Sequence, residues 1–299
     1  IKQLTGVLSD LIIKKKITND SFLMFVDDGS KDNTWQVMQQ YAATDSRIEI
    51  YHQDNQGVAS TRNNLLDKVK GDYVLFIDSD DWIELDMVEC LVSIAIEHNS
   101  SFVMCDRVIN DTEPRKTHPC IHRLTQEQAI HDFLRHEYFV GSLWNKLLAS
   151  SLLHNVRFHC GISYGEDALF CWHVLQNTEN VVVTDRQLYH YRMNDGSISH
   201  SSFGPKKFSG HTTWKLINDE VLEKWAQYST IAKARWAVQD AQLIPDAAHS
   251  NYQYDDNIQL LQKTINEHHK HIGKNKLSTI KMRLYSYMVS RFYSFAKLF

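Results

Sequence analysis

Short apolar runs and helical apolar spacings alternate along the first hundred residues. Ile1, Leu4, Leu8, Leu11 and Ile12 recur every three or four positions, which predicts a helix ending at Lys14-Lys15-Lys16. Phe22-Leu23-Met24-Phe25-Val26 is a continuous apolar run, the pattern of a buried strand. A helix is expected from Thr34 to Tyr41, a strand over Arg47–Tyr51, a helix from Gly57 to Val69 and a strand over Tyr73–Ile77. A helix over Asp86–Glu97 and a strand over Phe102–Cys105 complete the series. This alternation predicts β-α-β units, hence an α/β fold with a mostly parallel sheet flanked by helices. Beyond residue 110 the pattern loosens: helices are expected at 125–136 and 166–177, strands at 180–184 and 187–192. From 205 onward the pattern is helical, which places a soft domain boundary at 204/205.

Two of the expected strands end in carboxylates: Val26-Asp27-Asp28-Gly29-Ser30 and Ile77-Asp78-Ser79-Asp80-Asp81. In parallel α/β sheets ligands bind beyond the carboxyl ends of strands. Asp78 and Asp80, two apart on an extended segment, project to one side. Neighbouring carboxylates repel unless a cation joins them, and hard oxygens suit Mn2+ or Mg2+ bridging to phosphate. Each cluster also fits a helix N-cap, a role that Asp and Ser favour.

Val26–Thr34 resembles the first signature of the inverting family 2 glycosyltransferases of GT-A (Rossmann-like) fold. Asn55-Gln56-Gly57-Val58-Ala59-Ser60-Thr61-Arg62-Asn63 resembles the second, and Gly71–Asp81 the third, with its metal-binding D-x-D. Order and spacing match, most closely the bacterial enzymes that build capsule, exopolysaccharide and teichoic-acid glycans. The resemblance implies a catalytic domain over 1–204 and a helical C-terminal region over 205–299. It implies a UDP-sugar donor, with Asp28 accepting from the uracil N3–H, Arg62 beside the nucleotide, and Asp27, Asp78 and Ser79 in the donor site. It also implies that Asp80 and Asp78 hold the metal, with His190 as a further candidate ligand. A buried or solvated histidine fits His190 better.

Tyr164-Gly165-Glu166-Asp167-Ala168-Leu169-Phe170 reads as a helix start, where carboxylates sit well on the dipole. It also resembles the family's E-D motif, which makes Asp167 the base and Glu166 its neighbour toward the acceptor. Tyr189–Ser199 resembles the segment in which Arg192, Ser197 and Ser199 face the donor diphosphate. Trp144-Asn145-Lys146 resembles the W-N-K that precedes the E-D motif, with Trp144 stacking on a sugar and Lys146 meeting the acceptor; a core tryptophan fits as well. The family opens with a strand ending in P-x-Y-N. Ile1–Ser21 supplies only the helix after it, so that first strand is expected to be missing.

The function implied is metal-dependent transfer of a sugar from a UDP-sugar to a hydroxyl of a glycan or lipid-linked glycan. The alternative is a catalytically impaired donor-binding or scaffolding homologue. A nucleotidyltransferase would need a Gly-rich phosphate loop after its first strand, and none is present.

Composition and charge add location. The chain of 299 residues has net charge −4, without the basic excess of a nucleic-acid binder. That total divides into seven Lys/Arg and no acid over 268–299, and −11 over the rest. In the tail Leu277, Ile280, Leu284, Met288, Phe292, Phe295 and Phe299 recur at helical spacing among Lys276, Lys281, Arg283, Arg291 and Lys297. Such a helix suits an anionic membrane surface, so 272–299 is a candidate for peripheral membrane contact; docking on its own body or on a second subunit is equally open. Five cysteines without a C-x-x-C read as reduced and mostly core, and no apolar run reaches the ~18 residues of a membrane span. The expected place is the cytoplasm, at the inner face of the plasma membrane.

Overall fold

The computed structural model describes residues 22–109, 120–193, 202–275 and 278–298. The expected helix over Ile1–Ile12 lies outside these residues. The elements of the first half are β1 (Leu23–Asp28), α1 (Thr34–Ala42), β2 (Ile48–Gln53), α2 (Val58–Leu66), β3 (Tyr73–Leu75), β4 (Trp82–Ile83), α3 (Met87–Glu97) and β5 (Phe102–Ile109). Then come β6 (Ile121–Thr125), α4 (Gln126–Arg135), β7 (Lys146–Ala149), α5 (Glu166–Leu175) and β8 (Asn180–Tyr191). The remainder is helical: α6 (Pro205–Lys224), α7 (Ser229–His249), α8 (Asp256–His268) and α9 (Ile280–Val289).

The chain divides into two compact units. The first takes residues up to Gln126 with Ser142–Cys160 and His173–Met193; the second takes Glu127–Gly141, Gly161–Trp172 and Asn194 onward. The units therefore interleave, where the sequence predicts one boundary at 204/205. In the second unit Phe133 of α4 stacks on Trp214 of α6 at 5.7 Å and meets Trp172 of α5 at 5.9 Å. These aromatic contacts, distant in sequence, draw α4 and the start of α5 into the helical unit.

In the first unit β1 and β2 pair parallel, Leu23 opposite Ile48 through Asp28 opposite Gln53. A six-stranded sheet runs β3-β7-β5-β8-β4, with β6 also on β8. Only β5 with β8 is parallel there; the other pairs run antiparallel, so the sheet is mixed rather than mostly parallel. The antiparallel members β4, β6 and β7 were not expected. They are two to five residues long, too short to show a period. The 180–184 and 187–192 strands are one strand, β8, with register irregularities against β5 near Asp106. Behind the sheet, Met87, Leu91 and Ile94 of α3 pack with Val103, Leu147, Val182 and Leu188, and Leu23 and Phe25 of β1 pack against this cluster.

In the second unit Ala237, Val238, Ala241 and Ile244 of α7 form a core with Ile258, Leu261 and Ile265 of α8 and with Tyr285 and Val289 of α9. Among the described residues no helix is long and apolar enough to cross a membrane. Of the five cysteines only Cys105 and Cys171 are buried, while Cys120 and Cys160 are exposed, which corrects the expectation of a mostly core set.

Candidate active site

In the first unit the ends of β1 and β3 carry the acidic clusters. Gly29 makes the first turn possible. Its φ is +73°, and a Cβ there would lie 2.8 Å from the Asn55 amide nitrogen. The turn is tied down by Asn55 Nδ2, which donates to the Asp28 carbonyl at 3.0 Å.

Asp27 and Asp28 divide the work. Asp27 is buried, accepting from the Ser30 N–H at 3.0 Å and lying 2.8 Å from His52 Nδ1. Burial acts to raise its carboxyl, but Ser30 and His52 outweigh that and hold it below the usual carboxylate range. Asp27 thus secures the turn. Asp28 accepts from the backbone N–H of Gln56 and of Gly57, each at 2.9 Å, and from Gln53 Nε2 at 2.8 Å. Burial again pushes upward, and these donors overcome it, so Asp28 stays ionised well into acid. Gln53, Gln56 and Gly57 gain their role only through the β1–β2 pairing, so sequence reading passed over them.

At the other strand end Arg62 of α2 donates to Asp78 Oδ1 at 3.3 Å, and its guanidinium stands 5.3 Å from the Phe158 ring centroid. Phe158 is clamped to the same helix: its N–H donates to Asn63 Oδ1 at 2.8 Å and its carbonyl accepts from Asn63 Nδ2 at 2.9 Å. Asp78 and Asp80 are partly exposed and Ser79 is exposed. Among the described residues no group of three or more His, Cys, Asp or Glu is placed to hold a metal ion.

Asp81 and Tyr189 tie this loop to β8. The Tyr189 hydroxyl accepts from the Asp78 N–H at 3.1 Å and donates to Asp81 Oδ2 at 2.7 Å. Asp81 Oδ1 accepts the Arg192 N–H at 2.8 Å. Asp81 is 1% exposed, and burial raises its carboxyl above the usual range despite these two donors. Burial likewise pushes the Tyr189 hydroxyl up, so it remains a donor. Neither residue had an assigned role from sequence; the signal was present in Asp81 as a third acid directly after the D-x-D and in Tyr189 as the first tyrosine of Y-x-Y-R.

Three of the expected site residues are buried. His190 is 7% exposed, stacks on Trp82 at 5.0 Å and holds Glu84 Oε1 with Nε2 at 2.7 Å. Those contacts make it a bridge between β8 and the loop after β4. Trp144 is 6% exposed and stacks on Tyr189 at 4.4 Å and on Tyr191 at 5.6 Å, so it is core, not a sugar platform. Lys146 is wholly buried, its ammonium on the Ser142 carbonyl and on Asn145 Oδ1, so it braces β7 instead of meeting an acceptor. The Arg192 guanidinium lies 4.8 Å over the Trp82 ring, at the exit of β8. Ser197 and Ser199 lie outside the described residues.

The second unit presents Glu166 and Asp167, both partly exposed, in the first turn of α5. The turn before them is built on α6. Ser209 Oγ accepts the Ser163 and Tyr164 N–H groups at 3.1 and 2.9 Å, and Thr213 Oγ1 donates to the Tyr164 carbonyl at 3.3 Å. Gly165 has φ +88°, and a Cβ on it would meet Thr213 Oγ1 at 3.0 Å. Ser209 and Thr213 are a further pair that sequence reading missed, because nothing in helix spacing marks a residue that braces a turn 45 positions away.

Comparison with known proteins gives the chain's family and fold. Residues 15–163 match the model of Glycosyl transferase family 2. Glycosyltransferase GlyA of Streptococcus pneumoniae is 29% identical over 206 residues, 64% of this chain and 29% of that protein. The cholesterol galactosyltransferase of Borreliella burgdorferi is 28% identical over 235 residues, 71% of this chain and 64% of that protein. The chain thus spans less than two thirds of the length of these relatives. The crystal structure of S. aureus TarS residues 1–349 in complex with UDP-GlcNAc superposes with a TM-score of 0.70 at 18% identity, covering 96% of this chain and 84% of that one. That likeness carries the fold, which is GT-A.

Proposed function

We propose that this chain, which belongs to glycosyl transferase family 2, transfers a sugar with inversion from a UDP-sugar to a hydroxyl of a glycan or lipid-linked glycan. The observation that carries the reading is the pair of acidic strand ends in one unit: Asp28 kept ionised by three donors, and Asp78 held by Arg62. An acceptor-only carboxylate suits the imide N–H of uracil, and a fixed guanidinium suits a nucleotide's negative charge.

Asp78 and Asp80 supply hard oxygens, a partial set of the kind that Mn2+ or Mg2+ completes with diphosphate oxygens and water. Bound there, the ion would offset the charge that builds on the departing UDP. Asp167 acts as base. The acceptor oxygen forms its bond to the anomeric carbon while the bond to the UDP oxygen breaks with its electron pair. The acceptor proton passes to Asp167, which stands partly exposed in the first turn of α5. Arg192, at the exit of β8, adds positive charge on the leaving-group side. A lipid-linked acceptor would set the reaction at the inner face of the plasma membrane.

The test is UDP release from a panel of nucleotide sugars with Mn2+, with and without acceptor, starting from UDP-GlcNAc, which the TarS complex contains. Asp167→Asn is expected to keep donor affinity and lose transfer by about 100-fold or more. Asp80→Asn is expected to abolish the metal dependence of UDP binding. Unchanged transfer in the first variant, or unchanged metal dependence in the second, overturns the corresponding role.

A further inference from the structure

Helix α9 buries the face that its apolar pattern does not mark. Tyr285, Ser286 and Val289 point into the core of the second unit. Gln262 Nε2 donates to the Val289 carbonyl at 2.6 Å and Asn266 Nδ2 to the Ser290 carbonyl at 2.8 Å, which fixes that face against α8. Of the pattern residues, Ile280 is 76% exposed, Leu284 62% and, just past the helix, Phe292 58%, while Met288 is partly buried; Tyr287 beside them is 50% exposed. Ile280, Leu284 and Tyr287 follow i, i+4, i+7 and form one row. Leu277, Phe295 and Phe299, also in the pattern, are not among the described side chains.

The row is flanked by cations. Lys281 and Arg283 are exposed beside it, and the exposed Arg291 guanidinium lies 3.8 Å over the Tyr287 ring. Lys270 and Lys274, exposed after α8, belong to the same unit. No acidic residue follows Glu267.

We propose that this row is a docking surface for an anionic lipid bilayer. Ile280 and Leu284 stand bared on a folded, anchored helix, with the half-exposed Tyr287 ring in the same row. Aromatics and Lys/Arg bordering an aliphatic row are the composition that seats at a headgroup boundary. A second copy laid on the same row would bring like charges together, whereas anionic headgroups satisfy them. The rest of the chain is net −11, so a negative surface repels it and leaves this face as the one that approaches. The proposal does not depend on the transfer reaction, since it concerns where the chain sits.

The experiment is vesicle co-sedimentation of the full chain, using phosphatidylcholine alone and equal parts phosphatidylcholine and phosphatidylglycerol. Binding is expected to the mixed vesicles, to weaken as salt rises, and to be poor on phosphatidylcholine. Ile280→Ser with Leu284→Ser is expected to reduce it by tenfold or more, on the order of the loss of two buried aliphatic chains. Lys281→Glu with Arg291→Glu is expected to reduce it by more than about tenfold, each cation near an anionic surface being worth roughly fivefold. All four sites are exposed, and unchanged thermal unfolding confirms that the fold is retained. Absence of binding by the parent chain overturns the proposal, as does equal binding by parent and both variants. A concentration-dependent dimer that Leu284→Ser abolishes, without vesicle binding, overturns it in favour of a second copy.

Discussion

Replacing Tyr189 with Phe removes one oxygen and keeps the ring that stacks on Trp144 at 4.4 Å. The lost hydroxyl is the link between the D-x-D loop and β8, accepting from the Asp78 N–H at 3.1 Å and donating to Asp81 at 2.7 Å. A neutral hydrogen bond contributes about 1 kcal/mol and one to a buried charge about 1.5–3 kcal/mol, so the variant should lose roughly 2–4 kcal/mol locally. The pH dependence has a definite sign. Burial raises the Asp81 carboxyl, so the folded protein holds that proton at a higher pH than the unfolded chain does. Above the folded value the buried charge destabilises, and acidification relieves it down to the ordinary carboxylate range. Without the Tyr189 donor the carboxyl moves further up. The deficit is therefore greatest at neutral pH and shrinks in mild acid. A chain of two compact units need not unfold in one step, so the readout is hydrogen exchange in urea of peptides covering 78–83 and 182–191. The same loop carries Asp78, so UDP affinity is expected to fall several-fold in parallel. A local loss below about 0.5 kcal/mol, or one that grows on acidification, refutes the reasoning.

Asp27 and Asp28 have the opposite sign. Both are held below the usual range, so the stability they add is present above the unfolded carboxylate value and is lost as pH falls through their folded values. Exchange of the 23–28 and 53–57 peptides should rise sharply in acid, and Asp28→Asn should flatten that rise. Gly165→Ala forces a Cβ against Thr213 at φ +88° and is expected to cost about 1–2 kcal/mol in thermal unfolding. It should lower transfer more than donor affinity. Ser209→Ala strands the N–H groups of Ser163 and Tyr164 and is expected to cost about 1–3 kcal/mol; a melting curve matching the parent would remove Ser209 as the brace of that turn.

The first four apolar-run and helix assignments of the described chain, from Leu23 to Leu66, were legible because each element there has a period of its own and a buried face. The acidic strand ends were legible for the same reason: a polar cluster after a continuous apolar run marks where a strand leaves the core. Trp144 and Lys146 were not. A tryptophan and a lysine have the same chemistry in a site or in a core, and only the stacking on Tyr189 and Tyr191 and the Ser142 and Asn145 acceptors decide between them.

Local pattern thus sufficed for the alternation of elements, the order of the signature motifs and the separation of an acidic body from a basic tail. These depend on neighbours along the chain. Pairing direction, the interleaving of the two units, the Tyr189–Asp81 link and the inward face of α9 depend on contacts between distant residues. On α9 the strongest apolar stripe faces outward because Ser286 and Val289 are small enough to let the backbone approach α8, where Gln262 and Asn266 take its carbonyls. Hydrophobicity names the residues that seek cover; close packing and hydrogen bonding choose which of them the fold covers.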